Sequence, residues 1–187
     1  MKEELLEPFL RKMRIRKIKP HIPKDCVLCD VGCGFNAKFL HDISPYVRKG
    51  IGLDKKIENF KSVNLELIKS KIEKELPLPS SHVDCITLLA VLEHLEYPEN
   101  ILKECHRILK PEGVLILTSP TPLSKPLLEF LSFKLNIVSP VEISDHKNYF
   151  NSAQLIRILK DECGFRRVIA KTFQFGLNNF VIANKMD

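Results

Sequence analysis

The sequence predicts a doubly wound α/β domain, with seven mostly parallel strands, an antiparallel C-terminal strand and helices on both faces. Three observations carry this. The apolar run Val27 to Val31 contains Asp30 and runs directly into Gly32-Cys33-Gly34, after which Asn36 to Leu40 begins a helix. A strand, a glycine turn and a helix in that order open a nucleotide-binding α/β fold. Val83 to Ala90 is almost continuously apolar, as expected of a parallel strand buried on both faces. Finally, strand-like and helix-like segments alternate until two strands, 167–173 and 180–183, flank a Gly176 to Asn179 turn that suits an antiparallel hairpin.

Taken in order, residues 3–19 place Leu5, Leu6, Phe9, Leu10, Met13 and Ile18 at loose helical spacing, and Pro20 and Pro23 end that helix. The helix after the glycine turn runs to about Pro45 with Phe39, Leu40 and Ile43 facing inward. Lys49 to Asp54 is a strand closed by an acid. Residues 55–62 read as a short helix, and Leu65 to Lys69 as the third strand. The proline-punctuated Leu76 to Ser81 leads into the fourth strand. Pro98 opens a helix, where its fixed φ is pre-organised, and Ile101, Leu102, Cys105, Ile108 and Leu109 follow at helical spacing. Lys110 to Gly113 stops it before the fifth strand, Val114 to Thr118. Asn151 to Gln154 starts the last helix and Gly164 ends it. The expected reversed strand lies at a sheet edge.

The 187 residues suit a single domain, 1–187, comprising a basic N-terminal helix over 1–24 and an apolar insertion or lid over 119–150. A composition of 44% hydrophobic and 28% charged residues excludes global disorder. No apolar run approaches the roughly 20 residues of a membrane span. The start of the chain lacks the basic-then-apolar layout of a secretory signal, so a cytoplasmic location is expected. The net charge of +6 is concentrated at one end: residues 1–24 hold eight Lys and Arg against three Glu, leaving 21 basic and 20 acidic residues beyond. A solvated helix face accounts for this, as does an anionic partner. Cys26, Cys29 and Cys33 have a metal-like spacing, but a strand divides their side chains and no fourth ligand stands nearby. Reduced, buried thiols are expected instead.

The glycine turn admits two ligands. Gly32-x-Gly34-x-x-Ala37, with Asp54 twenty residues after Gly34, satisfies the dinucleotide fingerprint of an NAD-binding oxidoreductase. Asp30 discriminates. A carboxylate beside a pyrophosphate repels it, whereas one beside the ammonium of an amino acid attracts it, and S-adenosylmethionine carries an ammonium and no phosphate. At these residues the sequence resembles the class I S-adenosylmethionine-dependent methyltransferases, the broad group with an Asp-x-Gly-x-Gly turn and Glu-His-Leu after the fourth strand. The resemblance runs through Val27 to Asn36, Gly52-Leu53-Asp54, Leu76 to Asp84, Val91-Leu92-Glu93-His94-Leu95 and Ile108 to Leu115, in order.

It implies a Rossmann-like methyltransferase fold, S-adenosyl-L-methionine as cofactor, and roles for particular positions. Asp30 would meet the methionine ammonium, and the backbone of Gly32, Cys33 and Gly34 would pass close to the methionine. Asp54 would accept from both ribose hydroxyls, Ile72 would pack on the adenine, and Leu89 and Ala90 would line the methionine by main chain. Two positions depart from the family. Asn36 replaces the third glycine and is expected to cap the following helix. Lys71 stands where an acid usually faces the adenine amine.

Methyl transfer from a sulfonium is an in-line displacement that alignment alone accelerates strongly. A base is required only when the acceptor must lose a proton. The candidates are His94 after the fourth strand, then His146 and Tyr149 in the Ser144 to Phe150 segment. Relatives in the quinone-biosynthesis branch hold a metal through an acid three residues before Glu-His; that position is Ala90 here, so no metal is expected. Leu123, Leu127, Leu128, Phe130, Leu131, Phe133, Leu135, Ile137 and Val138 make the insertion strongly apolar. It suits a lid, a hydrophobic substrate wall or a peripheral membrane contact, and equally a core helix or dimer face.

The expected activity is methyl transfer to a small-molecule or lipid-like acceptor by a monomer or homodimer. The alternatives are a catalytically inactive cofactor-binding regulatory subunit and the NAD-binding oxidoreductase. Nucleic acid is disfavoured, because Ala90-Val91-Leu92-Glu93 occupies the place of the Asn/Asp-Pro-Pro-aromatic tetrad of base amino-methylation.

Overall fold

The structure is a computed structural model that describes residues 7–133 and 145–186. The expectations placed on Leu5, Leu6, Leu135, Ile137 and Val138 lie outside the described residues. The elements in chain order are α1 (Glu7–Ile18), β1 (Val27–Val31), α2 (Lys38–Ile43), β2 (Lys49–Asp54), β3 (Phe60–Lys61), β4 (Leu65–Lys69) and β5 (Val83–Leu89). They continue with α3 (Pro98–Ile108), β6 (Leu109–Pro120), α4 (Ser124–Phe133), α5 (Ser152–Arg157), β7 (Arg167–Phe173) and β8 (Asn178–Asn184). One sheet joins the strands in the order β3-β4-β2-β1-β5-β6-β8-β7. The run from β4 to β6 is parallel, and β8 lies antiparallel to both β6 and β7.

The period of two along each strand explains the burial. Leu28, Cys85, Ile116 and Phe180 face one core with Ile18 of α1 and Phe39, Leu40 and Ile43 of α2. Their neighbours Cys29, Ile86, Leu115 and Leu117 face a second core, packed by Ile101, Leu102 and Cys105 of α3 and Leu155 of α5. With helices on both faces, the central strands are apolar throughout. The same alternation puts Cys29 in one core and Cys26 and Cys33 in the other, and all six cysteines are free and buried.

The seven expected strands all form, and three local expectations are corrected. Residues 55–62 make no helix: Phe60 and Lys61 pair antiparallel with Leu67 and Glu66, adding an eighth strand. Buried Ile57 and the Asn59 side chain, which accepts from the Lys69 N–H at 2.7 Å, hold this stretch extended. Asn36 does not cap α2. The Ala37 N–H donates to the Gly34 carbonyl at 3.2 Å, and left-handed Ala37 (φ 44°) becomes the cap position with no side-chain bond. The reversed strand β8 is not at the edge, because β7 pairs outside it. Asn151 does begin α5, in a reciprocal capping box with Gln154. The helix then widens into a π-helical turn, Ile158–Glu162, and Gly164 (φ 82°) follows it.

Sheet order reverses direction at β1, with β2 on one side and β5 on the other. The carboxyl ends of β1 and β5 therefore flank the crevice in which open α/β sheets bind ligands. Among the described residues no helix is long and apolar enough to cross a membrane.

Candidate active site

The parallel register sets Asp30 of β1 opposite Gly52 of β2 and Thr87 of β5. Asp30 is 3% exposed and accepts a hydrogen bond from the Thr87 hydroxyl at 2.7 Å. Burial raises its carboxyl to about 7; the Thr87 bond opposes the shift and the Asp54 charge adds to it. A half-protonated acid at neutral pH is thus held at the strand end, ready for a cationic partner.

Asp54 closes β2 and grips the glycine turn. Its Oδ2 accepts from the Gly34 N–H at 2.9 Å and its Oδ1 from the Lys56 N–H at 2.8 Å. Each oxygen keeps further acceptor capacity. Gly34 (φ 73°) faces open space, so its backbone is accessible to a ligand. At Gly32 (φ 78°) a Cβ would fall 2.4 Å from Cγ2 of Val91, because the chain leaving β5 folds across the turn. Left-handed Ala90 (φ 56°), whose N–H donates to the Thr118 carbonyl at 3.0 Å, makes that fold. Gly32→Ala is therefore expected to combine a clash with about 1–2 kcal/mol of backbone strain. Thermal unfolding should show Tm lower by at least about 4 °C. Adding Val91→Ala should recover only part of it; full recovery would show that the backbone angle costs nothing.

The other cofactor candidates are less tightly gathered. Cys33 is buried against the α2 side, where Leu89 is also partly buried. Ile72 packs partly buried against the opposite core. The two apolar candidates thus lie on opposite faces of the sheet end. Lys71 pairs with Glu73 and points into solvent.

The three basic or hydroxylic candidates do come together. A short 3-10 turn, Leu92–His94, follows β5. The segment after the insertion is tied to this turn: the Lys147 and Asn148 N–H groups both donate to the Glu93 carbonyl, at 2.8 and 3.1 Å. The Asn148 side chain donates to the Leu95 carbonyl at 2.7 Å. These bonds bring the His146 ring within 4.7 Å of the His94 ring, edge to face. Tyr149 Oη lies 3.0 Å from His146 Nδ1, and Asp145 Oδ2 lies 3.5 Å from His94 Nδ1. Burial, then the neighbouring His94, lowers His146 to about 4, with Asp145 opposing, so it is neutral at physiological pH. Such an imidazole is a weak base.

Four contributors were given no role by the sequence. Thr87 was hidden in an apolar strand, where a lone hydroxyl is the available signal. Asn148 acts through a fold-dependent bond. Glu93, next to His94 in the same turn, is 2% exposed, and burial raises its carboxyl to about 7. The charge of Arg14 on α1 opposes that shift.

Residues 29–117 match a family model described as a methyltransferase domain. Among curated proteins, the chain is 28% identical over 152 residues to the ubiquinone/menaquinone biosynthesis C-methyltransferase UbiE of Pseudomonas fluorescens, covering 74% of this chain and 59% of that one. It is 31% identical over 143 residues to the protein of the same name from Pseudomonas savastanoi pv. phaseolicola, covering 69% and 55%. The chain thus spans between half and two thirds of the length of these relatives. Among solved structures, a SAM-dependent methyltransferase from Archaeoglobus fulgidus superposes with a TM-score of 0.71 at 20% identity, covering 95% of this chain and 94% of that one. The glycine turn, the acids that close β1 and β2 and the segment after β5 all fall inside the matched region. By family match residues 29–117 form a methyltransferase domain, and the motif order and sheet topology are those of the class I S-adenosylmethionine-dependent methyltransferases, which implies S-adenosylmethionine as cofactor.

Proposed function

We propose that this chain transfers the methyl group of S-adenosylmethionine to a small, apolar acceptor that loses a proton from oxygen or an activated carbon. The observation that carries this reading is the tie of residues 147 and 148 to the Glu93 carbonyl. It gathers His94, His146 and Tyr149 at the ligand end of the sheet, one strand from the glycine turn. In this reading Asp30 holds the methionine ammonium and Asp54 the ribose hydroxyls. The backbone of Gly32, Cys33, Gly34, Leu89 and Ala90 lines the methionine, and Ile72 the adenine. His94, paired with Asp145, takes the acceptor proton as the carbon–sulfur bond breaks and the new methyl bond forms. The sulfonium leaves as neutral S-adenosylhomocysteine, so alignment of acceptor and methyl supplies much of the acceleration.

An apolar acceptor is supported by Leu123 and Leu127, which stay exposed at the start of the insertion, 65% and 38% respectively. The curated relatives, named for C-methylation in ubiquinone and menaquinone biosynthesis, point the same way. The 119–150 stretch then serves as a lid or acceptor wall within a single domain. A cytoplasmic location belongs to the same reading, supported by six unpaired thiols.

The test supplies methyl-labelled S-adenosylmethionine with a panel of phenols, quinols and anionic lipids. Label should pass to an apolar hydroxylated acceptor, and His94→Ala should lower kcat with little change in cofactor affinity. Cofactor binding without transfer to any member would favour a regulatory subunit.

A further inference from the structure

We propose that the tip of the β7–β8 hairpin, together with the start of α4, is a docking surface for an anionic lipid bilayer. Phe175 lies at that tip and is 99% exposed, so its ring buries nothing in this fold. Leu123 and Leu127 are exposed as well, as is Pro122. A Cβ at Gly176 would lie 3.8 Å from Leu123 Cδ2, so the hairpin tip and the entry to α4 form one surface.

The turn is firmly built. Gln174, Phe175 and Gly176 all have left-handed backbone, with φ of 51°, 58° and 83°. Glycine accepts this freely, whereas a bulky aromatic adopts it at a cost in backbone strain. Hydrogen bonds impose it. The Thr121 hydroxyl donates to the Gly176 carbonyl at 2.8 Å and the Thr121 N–H to the Leu177 carbonyl at 2.9 Å. The Asn178 side chain donates to Gln174 Oε1 at 2.7 Å. A strained, fixed and fully solvated aromatic adds no burial to folding. Its ring leaves water only when something outside the chain receives it.

Register puts this tip at the ligand end of the sheet. Leu89 at the end of β5 lies beside Thr118, and β6 ends two residues later at Pro120, opposite Asn178 at the start of β8. The tip therefore projects from the same edge as the glycine turn. Charge identifies the occupant. The Gln174 side chain donates to the Met13 sulfur at 3.9 Å, which sets α1 against the turn. Residues 11–17 of that helix carry five Lys and Arg and no acid. Lys125 and Lys171 are exposed on the two elements that carry the apolar side chains, and residues 119–128 and 167–178 contain no acid either. Apolar side chains bordered by cations suit a bilayer interface with anionic headgroups, where each basic residue adds to the attraction. A second protein fits less well, because four apolar side chains fall far short of the roughly 20–30 residues a side of a stable protein interface.

Docking needs only the folded chain. Its use, setting the crevice against an acceptor dissolved in the bilayer, rests on the proposed function, so the two ideas fail separately.

The chain contains no tryptophan, so Phe175→Trp introduces a single fluorescent reporter. With vesicles of phosphatidylcholine mixed equally with phosphatidylglycerol, the protein should co-sediment and F175W emission should shift to the blue. Phosphatidylcholine alone should do neither, and added salt should release the protein. Phe175→Gly should weaken co-sedimentation by at least about tenfold, the loss expected of a buried aromatic anchor. Lys171→Glu should weaken it by about tenfold. Unchanged S-adenosylhomocysteine affinity reports that both variants are folded, and Phe175→Gly should unfold at the same or a higher Tm because glycine relieves the turn. Four results overturn the proposal: no co-sedimentation with the anionic vesicles, co-sedimentation unchanged by Phe175→Gly, F175W emission that does not shift, or a Tm lowered by Phe175→Gly. Binding of single-stranded RNA without vesicle binding, or a dimer that Phe175→Gly dissociates without vesicle binding, would assign the surface to another partner and overturn it as well. Vesicle binding by a chain that methylates no acceptor would leave the surface standing and remove its proposed use.

Discussion

Asp54→Ala is expected to weaken S-adenosylhomocysteine binding by at least about thirtyfold, the loss of ribose bonds to a charged acceptor at roughly 1.5–3 kcal/mol each before compensation by water. The structure makes the effect larger than a ribose contact alone. The same carboxylate accepts from the Gly34 and Lys56 N–H groups, so its removal also frees the glycine turn that the methionine must approach. Asp54→Asn should be nearly as damaging. An amide offers one acceptor oxygen, and its NH2 would face one of the two N–H groups. Calorimetry with S-adenosylhomocysteine measures both variants. Unchanged affinity in a folded Asp54→Ala protein would show that the ribose is held elsewhere.

The second large effect is a pH dependence centred on Asp30. Its carboxyl is raised from 3.8 to about 7 in the folded chain, chiefly by burial. Only the ionised form pairs with an ammonium, so affinity should fall as pH drops below 7, by about tenfold for each unit once protonation dominates. The folded state without ligand binds more protons than the unfolded chain between pH 3.8 and about 7. Asp30 therefore makes the unliganded protein progressively less stable as pH rises across that window, and the penalty is complete above it. Asp30→Asn should reverse both trends: a higher Tm at pH 8 without ligand, and weak, pH-independent cofactor binding. Affinity flat from pH 5 to 8 in the native chain would mean that Asp30 does not touch the ammonium.

The gathering of the proposed donor residues was legible in the sequence because it is local. Asp30, Gly32, Gly34 and Asp54 sit at strand ends that apolar runs mark, and the parallel register brings them together automatically. The same locality made α3 and α5 legible through Pro98 and the Asn151–Gln154 box. The failures were of two kinds. For residues 55–62 and Asn36 local propensity misleads: a bond from the Lys69 N–H to the Asn59 side chain overrides it in the first, and a tight turn closed by the Ala37 N–H on the Gly34 carbonyl overrides it in the second. The acceptor half is non-local. His94 and His146 were both nominated, yet nothing in their spacing showed that they touch, because the bonds from 147 and 148 to the Glu93 carbonyl exist only after folding. Glu93 escaped for a related reason, since burial, not residue type, raises its carboxyl to about 7.

Those two bonds to one carbonyl have a consequence for redesign. They re-enter the scaffold at a fixed point, so whatever chain lies between α4 and His146 starts and finishes on anchors independent of its own length or composition. Exchanging that stretch for one of another length is therefore expected to leave the glycine turn and the histidine pair in place, and under the proposed function to change which acceptor is taken.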